Sequence, residues 1–344
     1  MGVNFAFELV EVGLLMEDIT IQKGKASKET MLEDLTAVIV DDSEYALCFI
    51  EDATKMLGIN VKSFQCPLEA LKYVKTNPVD MICTDFKMPK MDGLTFIREA
   101  RKVHHDIPVV MFTGEAEYED LRERSQREGV AEFFVKPIPV VTFFDRVKPL
   151  AELRQYLKFM GAYKQKDDFG NHRVRVGHFS KIIAGALNWD SKDQEMIYYG
   201  AQAHDIGMIS IPDSILLKAS GLAWEEMDLI RKHPVIGHSV LQGYSNPYFK
   251  MAATISLTHH ERFDGSGYPF GFSGDVIPAA GRIVGLTDAF DVLTSVRPHK
   301  TAWSFEKAFS YISVNSDMNF DPEIVNVFTE NVDRIKDVFT RFAD

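Results

Sequence analysis

The sequence predicts two folds in succession: a doubly wound α/β domain on a five-stranded parallel sheet, then an all-α domain. Three observations carry this. Short apolar runs alternate with amphipathic stretches from Ala37 to about residue 150, the pattern of β–α repeats. After Pro139 helical spacing takes over and strand character ends. Eight of the ten histidines lie beyond residue 170, so the second half has chemistry of its own.

Residues 1–34 open with an apolar run, Phe5 to Leu15, and turn polar around Lys23–Lys28; they form an N-terminal appendage. Ala37–Val40, Val79–Cys83, Ile107–Phe112 and Ala131–Val135 are apolar runs, broken only by Asp80 and Glu132, as expected of strands buried on both faces. Val61–Phe64 is a weaker fifth. Ala46, Phe49, Ile50, Ala53, Met56 and Leu57 recur at spacings of three and four, predicting one buried helix face. Val140–Leu150 closes the first domain, and Ala151–Gly161 continues as a connecting helix with a joint at Pro149. From His172 to Phe342 the chain reads as helices and loops, and Asp264–Pro278, rich in Gly and Pro, is the one long loop. The expected boundaries are 35–150 for the first domain, 151–164 for the connector and 165–344 for the second.

The chain has 344 residues, 46% hydrophobic and 26% charged, an ordinary globular mix. No run of eighteen apolar residues lacks a charge, which argues against a membrane-spanning helix. Glu8 and Glu11 interrupt the first apolar run and no basic start precedes it, so no secretory signal is expected. The net charge is −12, with −8 in residues 1–150 and −4 in the remainder. Neither half offers the basic field that nucleic-acid binding needs. Cys48, Cys66 and Cys83 form no CxxC pair and suit reduced core thiols of a cytoplasmic protein.

Asp41 and Asp42 follow the first strand, Asp85 the third, Thr113 the fourth, and Lys136 with Pro137 the fifth. In a parallel sheet these ends meet on one rim. Three carboxylates repel unless a cation joins them, and hard oxygen ligands suit Mg²⁺. Asp85 can then act as a nucleophile toward a phosphoryl group whose oxygens bind Mg²⁺, Lys136 and Thr113.

The second domain holds Asp168, His172, His204, Asp205, His233, His259, His260 and Asp288. Asp168 and His172, four apart, share a helix face. His204–Asp205 and His259–His260 are adjacent pairs; adjacent helical side chains diverge by about 100°. Such a pair serves two neighbouring metals, or one if the helix end is distorted, and Asp205 is the natural bridge. Imidazole with carboxylate suits Fe, Mn or Zn rather than Mg alone. A lone buried His is more often a hydrogen-bonded core residue; His178 and His238 are expected to be such residues or surface positions, and His104, His105 and His299 are not expected to be ligands either. Two metals can clamp a phosphodiester, so these residue types point to metal-assisted phosphoester hydrolysis.

The motifs VIVDDS, ICTDFKMPKMDG, MFTG and FFVKPI resemble a response-regulator receiver domain over about residues 36–150. The resemblance implies a flavodoxin-like sheet, Asp85 as phospho-acceptor, and Mg²⁺ held by Asp41, Asp42, Asp85 and the Lys87 carbonyl. Thr113 and Lys136 complete the switch, and Phe133 stands at the switching aromatic. A cognate sensor histidine kinase follows as partner.

QAHDIGMISIPDSILLK, RKHPVIGHSVL, LTHHERFDGSGYPFGFSG, IVGLTDAFDVLTS and RPHKTAW resemble the HD-GYP domain, a branch of the HD phosphohydrolases that cleaves cyclic di-GMP. The resemblance implies metal ligation by His172, His204, Asp205, His233, His259, His260 and Asp288, with two transition metals, Fe or Mn. Asp168 stands where family members with a third metal carry Glu. Gly267–Tyr268–Pro269 is the signature itself, either a structural loop or a wall beside substrate. Gly265 and Gly267 are expected to take unusual backbone angles. Arg297 and Lys300 match the family's substrate-contacting basic pair. Two positions depart from the pattern: Met208 follows Gly207 where the family has Lys, and His299 replaces a usual Tyr. The implied activity is hydrolysis of cyclic di-GMP to pGpG or GMP under receiver control. The alternatives are a catalytically weak cyclic-dinucleotide sensor that docks a partner such as a diguanylate cyclase, or a hydrolase of 3′,3′-cyclic GMP-AMP. A homodimer through the amphipathic helix Val140–Gly161 is compatible with the pattern, as is packing within the chain.

Overall fold

The computed structural model describes residues 32–104, 107–114, 121, 124–125, 128–163, 171–216, 218, 221–244, 246–295 and 301–343, the side chains of 159–163 excepted. Most of the N-terminal appendage, with His105, Asp168, Arg297, His299 and Lys300, lies outside them. The chain divides into two compact units, one ending at Lys158 and the next beginning at Phe159.

The first unit is a five-stranded sheet of β1 (Thr36–Val40), β2 (Asn60–Phe64), β3 (Met81–Asp85), β4 (Val109–Thr113) and β5 (Glu132–Val135). The order is β2-β1-β3-β4-β5 and every pairing is parallel. Right-handed crossovers build such a sheet outward from β1 in both directions. Between the strands lie α1 (Glu44–Met56), α2 (Pro67–Thr76) and α3 (Gly93–Ala100). α1 and α3 start on side-chain caps: Ser43 accepts from the Ala46 N–H and Asp92 from the Thr95 N–H. Alternate strand residues serve opposite faces. Val38, Val40, Ile82, Val109 and Met111 pack with Ala70, Val74, Leu94 and Ile97 of α2 and α3. On the other face Phe112 and Phe134 meet Phe143 of α4 (Val140–Tyr163) at 6.4 and 5.9 Å. Burial on both faces is why β1, β3 and β4 read as unbroken apolar runs.

Three expectations change. Met56 is 72% exposed, because the buried stripe of α1 is Leu47, Ile50, Ala53 and Thr54. Cys48 is exposed and Cys66 half-buried, so only Cys83 is a core thiol; burial pushes that thiol up to about 12. Pro149 does not mark a joint: α4 runs through it unbroken, since one proline removes a single helical N–H bond and the surrounding packing compensates. Leu150, Ala151, Leu153 and Leu157 are buried, and Lys158 binds Asp80 at 2.8 Å. The first compact unit accordingly runs to Lys158.

The second unit is all helical: α5 (His172–Ala186), α6 (Ser191–Ala201), α7 (Asp213–Leu216), α8 (Trp224–Arg231), α9 (His233–Leu241), α10 (Pro247–Thr258), α11 (Ala279–Thr294), α12 (Phe305–Val314), α13 (Pro322–Glu330) and α14 (Val332–Arg341). α5 packs on α6 and α11, and α10 on α6, α9 and α11. Phe179, Ile197, Ile255, Ile283, Phe290 and Phe328 centre the core. Gly207, in a short 3-10 turn at Ile206–Ser210, shows how tightly α9 approaches: a Cβ there would meet the His233 carbonyl at 1.9 Å. That contact sets His233 beside Asp205. Among the described residues no helix is long and apolar enough to cross a membrane.

Candidate functional site

In the first unit the strand ends bring Asp41, Asp85, Thr113 and Lys136 together. The Lys136 ammonium bridges two carboxylates, 2.6 Å from Asp41 Oδ2 and 2.5 Å from Asp85 Oδ1. Asp41 is fully buried and Asp85 nearly so. Each carboxylate also accepts a backbone N–H, from Ser43 at 3.0 Å and from Lys87 at 2.7 Å. Burial raises the Asp85 pKa, with Asp41 adding to the rise against the pull of Lys136. The Thr113 hydroxyl is buried without a hydrogen-bond partner, an orphan facing this rim. Asp42 is exposed at the edge, and Phe133 is half-buried against the sheet core. Lysine thus supplies the cation that the carboxylates require.

In the second unit the two doublets sit at helix ends. His204 and Asp205 follow the last turn of α6, and His259 caps α10 with His260 beyond it. Away from regular helix the 100° divergence no longer applies. The His259 and His260 rings approach to 4.0 Å and serve one group, while His204 and Asp205 are shared between two. Asp205, His233, His259 and His260 converge in one group, and His172, His204 and Asp288 in another. Asp205 faces both: Oδ1 lies 3.2 Å from His233 Nε2 and 3.5 Å from His259 Nε2, and Oδ2 lies 3.4 Å from His204 Nε2. Asp288 Oδ1 lies 3.4 Å from His172 Nε2 and 3.6 Å from His204 Nε2.

Backbone and carboxylate acceptors decide which nitrogen points inward. Nδ1–H donates to the Ala201 carbonyl from His204 at 2.7 Å, to Ile230 from His233 at 2.6 Å, and to Ser256 from His259 at 2.9 Å. His172 donates to the Asp291 carboxylate at 2.7 Å. In a neutral imidazole an acceptor on Nδ1 leaves Nε2 as a lone pair. The Nε2 atoms of His233 and His259 then face each other at 3.4 Å, a repulsive contact unless a proton or a metal ion joins them. His204 Nε2 is buried with no hydrogen-bond partner. The donor set therefore fits a metal pair with Asp205 between the ions, and orients imidazoles as ligand sites do.

The electrostatics follow from the same geometry. Burial alone would lower the His204 pKa, but the Asp205 and Asp288 carboxylates raise it to about 9. Burial and its neighbours His259 and His233 hold His260 well down. Burial would raise Asp205, yet His204, His233 and His259 hold it well below the usual carboxylate range.

Two residues of this site were missed by sequence reasoning. Asp291 binds His172 and, through both oxygens, Arg175 at 2.6 and 3.0 Å. The available signal was spacing: Asp291 lies three residues after Asp288 and Arg175 three after His172, each pair on one helix face. Glu261 is the second. It accepts the N–H groups of Phe270 and Phe272 at 2.8 and 3.1 Å and ties down the Gly-Tyr-Pro loop.

Within that loop Tyr268 stacks on His260 with ring centroids 4.7 Å apart, and its N–H donates to the His260 carbonyl at 3.1 Å. Burial and the Asp205 and Asp288 carboxylates push the Tyr268 hydroxyl pKa up. Gly265 has φ +82° as expected. Gly267 does not need a special angle; a Cβ there would meet Arg262 N at 2.3 Å, so the residue is glycine for close approach. Met208, half-buried, lies on the 3-10 turn after Asp205 and brings no charge. His178 stacks on Phe342 at 4.7 Å, His238 meets the Ala253 carbonyl, and His104 meets those of Val74 and Asn77. A cavity of about 250 Å³ adjoins His259, His260 and Asp288, with Arg262, Tyr311 and Asn319 on its wall.

Residues 37–148 match the response regulator receiver domain family and residues 157–324 the HD domain family. Over 90% of its length the chain is 33% identical to the cyclic di-GMP phosphodiesterase response regulator RpfG of Xanthomonas campestris, covering 91% of that protein. It is 28% identical to a cyclic di-GMP phosphodiesterase of Thermotoga maritima, over 90% of this chain and 94% of that one. Over 55% of its length it is 30% identical to the 3′3′-cGAMP-specific phosphodiesterase 2 of Vibrio cholerae, covering 38% of that protein.

Proposed function

The chain belongs to the response regulators that join a receiver domain to an HD domain, and from that premise we propose a metal-dependent phosphodiesterase of cyclic di-GMP under receiver control. The observation that carries it is Asp205, whose two oxygens face two separate ligand groups. His172, His204 and Asp288 would hold one ion, His233, His259 and His260 the other, with Asp205 between them. Fe or Mn suits this set; Asp168 is a candidate for a third site. When bound, two such ions supply the Lewis acidity that polarises a phosphodiester. The chain's own part is orientation: four Nδ1 hydrogen bonds fix the imidazoles, and Glu261 holds the loop that seats Tyr268 on His260. Arg297 and Lys300 are proposed to hold the dinucleotide.

In the receiver, Asp85 is the proposed phospho-acceptor, with Mg²⁺ on Asp41, Asp42, Asp85 and the Lys87 carbonyl. Thr113 and Lys136 would bind the transferred oxygens, and Phe133 would report the change. A sensor histidine kinase is the phosphate source, a dimer through α4 is compatible, and the cytoplasm is the proposed compartment.

Turnover of cyclic di-GMP and of 3′,3′-cyclic GMP-AMP by metal-reconstituted protein tests the reading. Preferred release of pGpG or GMP from cyclic di-GMP supports it. Preference for the mixed dinucleotide moves the substrate, and binding of both without turnover selects a sensor. Met208 favours that last reading, and M208K then restores turnover if the absent charge is the cause.

A further inference from the structure

Arg231 ends α8 and is exposed. Its guanidinium carbon lies 5.6 Å from the Tyr268 ring centroid and 5.9 Å from that of Trp224. Other basic side chains of this unit are paired with acids: Arg282 with Asp275 and Asp321, Lys218 with Glu226, Arg175 with Asp291. Among the described residues no carboxylate lies within ion-pair distance of Arg231. Trp224 is itself 73% exposed, so this bracket is not a piece of the core. Two aromatic faces hold a planar cation in place while leaving its N–H edge open. Holding it beforehand lowers the entropy cost of using it.

Its position decides what it can contact. The Tyr268 ring stacks on His260, and His233, two residues after Arg231, belongs to the same ligand group. The guanidinium thus adjoins the ligand groups through Tyr268. A molecule whose first phosphate is seated between the two groups can bring a second phosphate to it. A cyclic dinucleotide carries two phosphodiesters, one cut and one not. We propose that Arg231 binds the non-reacting phosphate of the cyclic dinucleotide and so selects a two-phosphate substrate. This rests on the phosphodiesterase reading above.

The test compares wild type, R231Q and R231K on cyclic di-GMP and on bis(p-nitrophenyl) phosphate, which has one phosphodiester. Metal content and melting temperature are matched, and cyclic di-GMP binding is measured by equilibrium dialysis. A hydrogen bond from a charged donor corresponds to about ten- to a hundredfold in affinity. R231Q should raise KM for cyclic di-GMP by that factor with kcat much less affected, and R231K should recover part. The loss should be at least about tenfold larger for the dinucleotide than for the single ester. Equal losses on both substrates would mean a structural role and overturn the proposal. Wild-type turnover of cyclic di-GMP with R231Q unaltered overturns Arg231 alone. Wild type that cleaves bis(p-nitrophenyl) phosphate but neither binds nor cleaves cyclic di-GMP overturns the substrate reading and the Arg231 assignment together.

Discussion

Asp291 receives the Nδ1–H of His172 at 2.7 Å in a setting where both residues are buried. The same carboxylate neutralises Arg175, which is 1% exposed. Burial would raise the Asp291 pKa, but His172 and Arg175 hold it low. One residue outside the ligand set thus orients a ligand and satisfies a buried cation.

Replacing Asp291 should separate those two roles. D291N keeps an acceptor for His172 and should lose about ten- to a hundredfold in metal affinity, as outer partners of ligand imidazoles do. D291A takes the carboxylate from buried Arg175, which keeps its bonds to the Phe342 carbonyl and the Ser295 hydroxyl, and should destabilise the fold by about 3–5 kcal/mol. Metal titration and urea unfolding of the two variants check this; equal stability of D291A and wild type would count against it.

Asp205 variants should lose more metal than any histidine variant. Each histidine faces one ligand group, and Asp205 faces both. Elemental analysis after reconstitution should give about two transition ions per wild-type chain and the lowest content for D205A. A D205A protein that retains two ions would end the bridging assignment.

The pH dependence should invert on metal loading. In metal-free protein the His204 pKa is raised from 6.5 to about 9 by Asp205 and Asp288, against the effect of burial. A raised folded pKa contributes stability that is full below 6.5 and lost as pH climbs through about 9. The metal-free melting temperature should therefore fall over that window. Metal must displace this proton, so its apparent affinity should rise with pH, by up to about tenfold per unit, and level off above about 9. Melting curves and calorimetric titrations across the window decide it. Affinity independent of pH across the window would mean that no proton leaves on binding and would overturn the His204 assignment.

The receiver pocket yields a cation-replacement experiment. Lys136 bridges Asp41 and Asp85, so K136M should leave two buried carboxylates facing each other and lower the melting temperature in EDTA. Mg²⁺ should recover more stability in K136M than in wild type. D85N should take up no label from acetyl phosphate. Equal Mg²⁺ effects in K136M and wild type, or full labelling of D85N, would break the pocket assignment.

Parallel strands buried on both faces are apolar without interruption, and for that reason β1, β3 and β4 could be read from the chain alone. The candidate metal-ligating residue types are equally readable, because His and Asp doublets are rare and their chemistry is local. What a neighbour far along the chain decides was not readable. Periodicity placed Met56 on a buried face, and packing against the sheet chose Leu47 and Thr54 instead. Pro149 looked like a break, and the burial of Leu150 to Leu157 carries the helix through it. Gly267 looked like a special backbone angle and is instead a close approach to Glu261 and Arg262. The two fold classes and the candidate ligands are legible in the chain, because both rest on local pattern and residue type. Packing alone splits the Asp205 oxygens between two groups, sets Asp291 behind His172 and stands Arg231 over Tyr268. Those relations join residues tens of positions apart. They depend on which helix faces meet, and no local propensity encodes that.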